Sequence, residues 1–304
     1  MVEAPPHAVN LAGSAGSTIT GNVCGAGVHG VAAARRLVAP TVPALAAWLR
    51  ARSAQLPRRF GLSMRLMPPR CLFCGQAGDL GRIDLCSDCL EALPPLVEAG
   101  DRPRFGTTGE TMELENWGIE LESALVPFLY APPTDAALRA LKFHGDLAPA
   151  QVFGALLAGA AACRGEVPDL LVPVPLHADR LHERGFNQAA RIARAAGLWL
   201  GRPCAPQLLS RRRSTPPQTS LAAAARRANL HGAFELAGAP CGGGRPRLPS
   251  HVALVDDVLT TGATMAAAVE ALQVAEGLRR VSCWAVARPA SGFLTPEPCS
   301  PGDP

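Results

Sequence analysis

The sequence predicts an α/β fold in which a mainly parallel sheet is flanked by helices and preceded by a small cysteine module. Short apolar runs alternate with longer segments of helical periodicity between residues 135 and 287. This alternation is typical of a parallel sheet covered by helices. Two Cys-x-x-Cys pairs lie ahead of it, within residues 71–89, in a short polar segment where a bound metal can replace a core.

The individual elements are predicted from apolar periodicity and from proline and glycine positions. Strands are expected at the short apolar runs, residues 170–172, 252–255 and 281–287. Helices are expected where apolar residues recur every three or four positions, at residues 135–144, 147–163, 185–200 and 265–276. Since parallel sheets bind ligands beyond the carboxyl ends of their strands, we expect a site there.

Composition narrows the class of protein. The chain has 304 residues and a formal net charge of +4, so charge alone does not indicate a nucleic-acid-binding protein. We find no secretory signal, and the apolar stretch at residues 156–163 is too short to cross a bilayer. We therefore expect a cytoplasmic protein with no transmembrane segment, in which ten cysteines need not form disulfides. Cys163 and Cys283 are expected in the core.

We expect five regions along the chain. Residues 1–66 are expected to be disordered or a linker, and a start-site extension is an alternative. Within them, residues 32–60 could instead form a broken basic helix resting on a membrane or a partner, which we favour less because the periodicity is poor. The remaining regions are the cysteine module at 67–97, a linker and helical hood at 98–165, the α/β domain at 166–290 and a disordered tail at 291–304.

The cysteine module carries the spacing of a metal site. Its two pairs, separated by eleven residues, are Cys71 with Cys74 and Cys86 with Cys89. Four thiolates on two tight turns can close a tetrahedral zinc site, and Gly75 lies where such a turn favours positive φ. An iron–sulfur site or a redox pair is the alternative; we favour structural zinc. We expect the α/β domain to keep much of its fold without the metal, because its core is expected to lie elsewhere.

Two acids and a small-residue loop connect the strand at 252–255 to the next helix. Asp256 and Asp257 can accept hydrogen bonds from the vicinal hydroxyls of a ribose. The loop that follows consists of Thr260, Thr261, Gly262, Ala263 and Thr264. Its backbone N–H groups lie at a helix N-terminus, which favours a phosphate. The spacing therefore describes a sugar 5-phosphate site; an ordinary βα turn is the alternative, and neither a Walker loop nor a dinucleotide fingerprint is present.

A second polar segment follows the strand at residues 170–172, which must end at the prolines after it because proline lacks a ladder donor. His177, Arg180 and Arg184 lie in the turn that leads into the next helix. Arginine side chains pair well with pyrophosphate oxygens. For Arg184 and Asn187 the alternative is a solvated turn that caps a helix; we favour ligand contact, because the two polar segments converge at one edge of the sheet.

These motifs together resemble a known family. Asp-Asp-Val-Leu-Thr-Thr-Gly-Ala-Thr at residues 256–264 resembles the 5-phosphoribosyl 1-pyrophosphate (PRPP) motif of type I phosphoribosyltransferases. With Pro-Val-Pro at 173–175, Arg-Gly-Phe-Asn-Gln at 184–188 and the four cysteines in front, residues 68–289 resemble the ComF family, which is similar to GntX-type proteins. The resemblance implies a type I phosphoribosyltransferase-like sheet behind an N-terminal zinc ribbon.

The resemblance also implies ligands and roles. PRPP or a related sugar phosphate would bind with Mg²⁺, which bridges pyrophosphate and ribose oxygens. Asp256 and Asp257 would hold the ribose, and residues 260–264 would hold the 5-phosphate. Four side chains would face the pyrophosphate: His177, Arg180, Arg184 and Lys142. No residue is assigned as catalytic.

Lys142 is the single lysine among 29 basic residues. It lies in Lys-Phe-His-Gly-Asp at residues 142–146, which matches the family's Lys-Phe-x-Gly-Asp. A compact ammonium is therefore expected to have a role there. An ordinary cation at a helix C-terminus is the equally supported alternative.

A basic, proline-containing segment at residues 211–230 is similar to the mobile loop that closes over PRPP in amidophosphoribosyltransferases. A polar flap suits that task, because the loop is solvated when it is open and shields the charged ligand from water when it closes. The flap residues that the resemblance implies are Arg213, Gln218, Arg226, Arg227 and Asn229. A solvated basic loop or a nucleic-acid patch is the alternative, although aromatic residues for base stacking are missing from the segment.

Two functions from different classes remain open. The first is a phosphoribosyltransferase that transfers phosphoribosyl to an unknown nitrogen acceptor. The second is a non-catalytic accessory protein of competence and DNA uptake, which binds single-stranded DNA or competence proteins such as a motor. An acceptor-binding hood would distinguish them, and residues 90–165 are the candidate segment, without a recognisable base-reading residue.

Overall fold

The computed structural model describes residues 41–56, 68–95, 120–212, 232–237, 246–260 and 262–290, and of residues 120–123 only the backbone. Several parts of the sequence predictions lie outside these residues: residues 1–40 and 57–66 of the N-terminal region, the tail at 291–304, Thr261, and the flap residues Arg213, Gln218, Arg226, Arg227 and Asn229.

The described strands are β1 (Glu120–Leu125), β2 (Phe128–Leu129), β3 (Leu170–Pro173), β4 (Leu209–Arg211), β5 (Phe234–Leu236), β6 (His251–Val258) and β7 (Arg280–Arg288). The described helices are α1 (Val42–Gln55), α2 (Ser87–Ala92), α3 (Thr134–Phe143), α4 (Ala148–Arg164), α5 (Ala178–Arg184), α6 (Gln188–Leu200) and α7 (Ala263–Leu272). Every helix and strand predicted between residues 135 and 287 is present, with its ends shifted by a few residues.

The main sheet has the order β1–β7–β6–β3, with β2 also paired to β7. All of these pairs are parallel, which confirms the predicted α/β class. β6 and β7 are central and read as near-continuous apolar runs because helices or loops cover both of their faces. β1 and β2 were not predicted, since Glu-Leu-Glu-Ser-Ala-Leu has low strand propensity and β2 is only two residues long.

Each face of the sheet has its own hydrophobic cluster. One cluster joins β3, β6 and β7 to α3, α4 and α6, and Trp284 is its largest fully buried side chain. Gly154 lets α4 approach α6 closely, because a Cβ there would lie 2.4 Å from the Cβ of Ala195. The other cluster joins the opposite face to α7 and to the antiparallel pair β4–β5.

α1 forms in a segment for which we favoured a linker. Thr41 caps its N-terminus, and a proline occupies its first turn, where a missing N–H is tolerated. Leu45 and Leu49 are buried in the cluster that contains α4, and Gly159 of α4 leaves room for Leu45. The buried residues of α1 form only a narrow stripe, so the sequence shows poor helical periodicity. The helix is therefore stabilised mainly by its tertiary contacts.

The cysteine module shares the core of the sheet, contrary to the expectation that the two cores are separate. Leu80, Leu85 and Leu90 are fully or almost fully buried in the same cluster as α4 and Trp284. α1 lies between the module and α4, and the backbone N–H of Arg82 donates to the Ser53 hydroxyl at 2.6 Å. A change in the module is therefore transmitted to the packing of the sheet.

Candidate functional site

A polar cleft of about 160 Å³ lies at the carboxyl ends of β3 and β6, where the predicted site was expected. Elements that are far apart in sequence contribute its walls. Its polar and charged lining consists of Lys142, Arg180, Arg184, Asn187, Gln188, Arg211, Asp256, Asp257 and Thr264. Four of these side chains are cationic and two are carboxylic acids.

The two acids continue β6 to its carboxyl end. Asp256 Oδ1 accepts a hydrogen bond from the Asp257 backbone N–H at 2.8 Å, and Asp257 Oδ1 accepts one from Val258 N–H at 2.9 Å. Asp257 Oδ2 lies 2.6 Å from Lys142 Nζ, and both side chains are largely buried. The residues predicted for ribose and for pyrophosphate therefore meet in one ion pair.

This pairing makes the two carboxyl groups electrostatically unequal. Burial and the neighbouring charge of Asp257 raise the pKa of Asp256 to about 8, although Lys142 opposes the shift. Burial disfavours the Lys142 ammonium, but the charge of Asp257 outweighs it and the net pKa of Lys142 is raised. Lys142 is thus a buried cation tied to Asp257 rather than a free cation at a helix end.

α5 supplies two of the cleft's arginines, and His177 immediately precedes it. Arg180 and Arg184 both line the cleft, and the Arg184 guanidinium carbon lies 5.3 Å from the centre of the Phe143 ring. His177 does not line the cleft: it is the N-cap of α5, where Nδ1 lies 3.3 Å from the Asp179 backbone nitrogen. The structure therefore does not bring His177 together with the other residues predicted for the pyrophosphate.

The start of α6 combines a structural residue with one that the sequence analysis missed. Asn187 caps the helix, since its Oδ1 accepts from Ala190 N–H at 3.2 Å and its Nδ2 donates to the Val174 carbonyl at 2.9 Å. The capping alternative thus holds for Asn187, although it also lines the cleft. Gln188 lines the cleft and is 2% exposed, and its Nε2 has no hydrogen-bond partner among the residues that the structure describes. A buried donor without a partner costs stability, and a ligand in the cleft could supply the acceptor.

The predicted phosphate loop leads from β6 into α7. Gly262 is the N-cap of α7 and has φ of 78°, a left-handed conformation that favours glycine. Thr264, in the first turn of α7, lines the cleft. Thr260 is exposed, while Gly262 and Ala263 are buried, and none of these three lines the cleft.

Arg211 is a further cleft residue that we did not assign to the site. It ends β4, and its guanidinium carbon lies 5.5 Å from the centre of the Phe234 ring on β5. Burial and the nearby charge of Arg180 lower its pKa, while Asp256 opposes the shift. The triple arginine at residues 211–213 was the available signal, but sequence gives no means of telling which of the three enters the cleft.

The four cysteines of the module form a second site. Their Sγ atoms all lie within 4.8 Å of one another, and Cys74 Sγ is 3.7 Å from Cys86 Sγ. Thiolates at the corners of a tetrahedral zinc site are about 3.8 Å apart, given a Zn–S bond of about 2.3 Å. Gly75 has φ of 72°, as predicted, and its N–H donates to the Cys71 carbonyl at 2.9 Å. The cluster could therefore hold a metal such as zinc.

The thiols of the cluster differ in acidity. Burial opposes ionisation of Cys71, but hydrogen bonds from the backbone N–H groups of Cys74 and Phe73 outweigh it and lower its pKa to about 7. Burial and the other cysteines raise the pKa of Cys89. A divalent metal would relieve this crowding of sulfur atoms, because it stabilises all four thiolates.

The two cysteines that were expected in the core lie in different environments. Cys283 is buried, as expected, but Cys163 is exposed because α4 ends one residue later and its last turn leaves the core. Among the described residues, no helix has the length and apolar character needed to cross a membrane.

Comparison with known proteins identifies the family. No protein-family model matches the chain. Competence protein F of Haemophilus influenzae is 27% identical over 231 residues, which cover 72% of this chain and 96% of that protein. The DNA utilization proteins YhgH of Salmonella typhimurium and Escherichia coli K12 are each 34% identical over 164 residues, which cover 52% of this chain and 69% of theirs. With these relatives and its cysteine cluster ahead of a parallel sheet, the chain belongs to the ComF family.

Proposed function

We propose that the cleft binds PRPP or a closely related sugar phosphate, and that the protein is a phosphoribosyltransferase-like member of its family. The observation that carries the proposal is the placement of two carboxylic acids opposite several cations at the carboxyl edge of the sheet. Four cations against two acids favour an anionic ligand. Acids beside a helix N-terminus suit a ligand that carries both hydroxyls and phosphate.

The ligand would divide between the two sides of the cleft. Asp256 and Asp257 would accept hydrogen bonds from the ribose hydroxyls, and the start of α7 with Thr264 would hold the 5-phosphate. Arg180 and Arg184 would face the pyrophosphate. Lys142 would stay near Asp257 and add positive charge on the same side, which is supported by their ion pair.

Mg²⁺ fits this donor set, since hard cations prefer carboxylate, phosphate and water oxygens. Asp256 and Asp257 are the residues of the cleft that would hold it, together with the ligand. When bound, it would neutralise charge on the pyrophosphate. Because Asp256 has a raised pKa, its carboxyl must lose a proton before it contacts the cation.

In the transfer that we propose, a nitrogen nucleophile forms a bond to C1 of the ribose. The bond from C1 to the pyrophosphate oxygen breaks, and the pyrophosphate leaves with the bonding electrons. The nitrogen loses its proton to solvent. Arg180 and Arg184 would stabilise the charge that develops on the leaving pyrophosphate.

Calorimetric titration of PRPP with Mg²⁺ into the full chain tests the proposal. We expect saturable binding to the unchanged protein and none to the double variant Asp256→Asn, Asp257→Asn. The matched control is Asp88→Asn, since Asp88 is an exposed acid of the cysteine module. Equal affinity in the double variant would contradict the ribose assignment, and no binding to the unchanged protein would contradict PRPP as the ligand.

A second function is favoured by the names of the relatives, which are a competence protein and DNA utilization proteins. In this alternative the cleft senses a ligand or contacts single-stranded DNA, and the protein acts without catalysis in DNA uptake, with competence proteins as partners. PRPP-dependent release of pyrophosphate in the presence of nitrogen acceptors would support the enzyme. Binding of PRPP without such release would support the accessory role.

For the cysteine module we propose a zinc ribbon that stabilises the fold. The local spacing of the thiols and their short sulfur–sulfur distances support zinc over a redox pair. We further propose that the regions at 67–97, 98–165 and 166–290 act as zinc ribbon, hood and phosphoribosyltransferase-like domain, in the cytoplasm. An iron–sulfur cluster remains the alternative, and absorption spectra with metal analysis of purified protein distinguish the two.

A further inference from the structure

An exposed aromatic side chain lies next to the cleft, and none of the contacts proposed for the sugar phosphate involves it. Phe143 is the last residue of α3 and is 65% exposed. It follows Lys142, whose side chain lines the cleft. Among the described residues it is the most exposed large hydrophobic side chain. An exposed phenyl ring does not gain the favourable free energy of burial. A role in ligand binding would account for its position.

Arg184 joins this ring to the cleft. Its guanidinium carbon lies 5.3 Å from the ring centre, the geometry of a cation–π contact. The same arginine lines the cleft. Leu181, one turn earlier on α5, is also exposed. Two flat groups and a small apolar surface thus lie next to the proposed site of the pyrophosphate.

The chemistry of the surroundings selects the kind of occupant. Arg184 lies over the ring, and Lys142 and Arg180 line the adjoining cleft. A purely apolar partner, such as a hydrophobic helix, would remove water from these cations without replacing its hydrogen bonds. An electron-rich aromatic heterocycle gains from both groups, because it stacks on the phenyl face and on the planar guanidinium. Nucleobases have this character and stack on aromatic side chains whatever their sequence.

We propose that Phe143 and Arg184 form a stacking platform for a nucleobase-like nitrogen heterocycle at the mouth of the cleft. The stacking is independent of the ligand deeper in the cleft. The further assignment, that the stacked ring is the acceptor, rests on the proposed function. Phe143 lies within residues 90–165, the segment in which an acceptor-binding hood was expected, whereas Arg184 ends α5. Phe143 would be the base-contacting residue that the sequence did not reveal.

The test uses 2-aminopurine, a fluorescent base whose emission is quenched when it stacks. The free base and an oligothymidylate with one 2-aminopurine are each titrated with the full chain. We expect quenching, a roughly tenfold weaker affinity in Phe143→Leu, since base–aromatic stacking contributes about 1–3 kcal/mol per base, and recovery in Phe143→Trp. Val274→Ala is the control, because Val274 is an exposed apolar residue after α7, and it should not change the affinity.

The two probes identify the source of the ring. Dependence on Phe143 with the free base supports an acceptor, and dependence only with the oligonucleotide supports a DNA strand. Absence of quenching with both probes, or equal affinity in Phe143→Leu, would overturn the platform. PRPP titrated into Phe143→Leu should bind as before. If PRPP does not bind the unchanged protein while quenching depends on Phe143, the platform stands and the proposed function fails.

Discussion

The cysteine cluster and the cleft are both built from polar side chains, but they are built in opposite ways. The cluster takes four sulfur atoms from one tight turn and from the start of α2 and brings them within 4.8 Å of one another, next to a core shared with α4. The cleft takes its groups from separate elements and leaves an acid with a raised pKa and a buried amide nitrogen that has no partner in the described part of the chain. The cysteine cluster is therefore organised for stability, whereas the cleft is organised for a ligand.

The largest effect is expected at the cluster. Cys71→Ser should lose the metal and lower the melting temperature by roughly 10 °C, because a change of 1 kcal/mol corresponds to about 2–4 °C in a chain of this size. Metal analysis and thermal unfolding measure both. Cys163→Ser, which changes an exposed cysteine outside the cluster, should change neither. Retention of the metal in Cys71→Ser would show that Cys71 is not needed to hold it.

A smaller loss is expected at the ion pair between Lys142 and Asp257. Lys142→Met should destabilise the protein by about 2 kcal/mol, because it leaves a largely buried carboxylate without its partner. Adding Asp257→Asn should restore most of that loss. Chemical denaturation of the single and double variants measures the coupling. Additive losses would show that the two side chains do not interact.

Gln188→Leu is expected to affect stability and ligand binding in opposite directions. Removing a buried donor without a partner should leave the free energy of unfolding unchanged or raised, by at most about 1 kcal/mol. Binding of PRPP should weaken, since a contact to the ligand is removed. Denaturation and calorimetry on the same variant provide the two values. A clear loss of stability would mean that Gln188 is a structural residue.

Stability is also expected to depend on pH. The pKa of Asp256 is raised by burial and by Asp257 from an ordinary 3.8 to about 8, with Lys142 opposing; Arg211, from β4, is the further charge facing it. The folded state therefore holds more protons than the unfolded state between these values, so stability should decline as pH rises through that window. Asp256→Asn should flatten this slope in denaturation curves. An unchanged slope would assign it to other groups.

Local patterns could be predicted from the sequence, and long-range pairings could not. The spacing of the cysteines, the positive φ at Gly75 and the acids that end β6 all depend on a few adjacent residues. The contact of Lys142 with Asp257 joins two distant segments, and no periodicity specifies it. The shared core of the module and α4 was missed for the same reason.

Side-chain direction was the other limit. Sequence placed several polar residues near the turn after β3, but it could not tell that His177 caps α5 while Arg184 enters the cleft. Nor could it show that Gln188 would be buried without a partner. These outcomes depend on the exact rotation of α5 and α6 against the sheet, which tertiary packing sets.

The most direct test of this division between a stabilising cluster and a ligand-binding cleft is thermal unfolding with and without PRPP and Mg²⁺. The three proteins to compare are the unchanged chain, Cys74→Ser and the double variant Asp256→Asn, Asp257→Asn. At a hundredfold excess over Kd a ligand stabilises by about 2.7 kcal/mol, which is easily detected. We predict that Cys74→Ser melts lower and still responds to PRPP, whereas the double variant also melts lower, because Lys142 loses its partner, and does not respond. A response in the double variant, or a normal melting temperature in metal-free Cys74→Ser, would contradict the account.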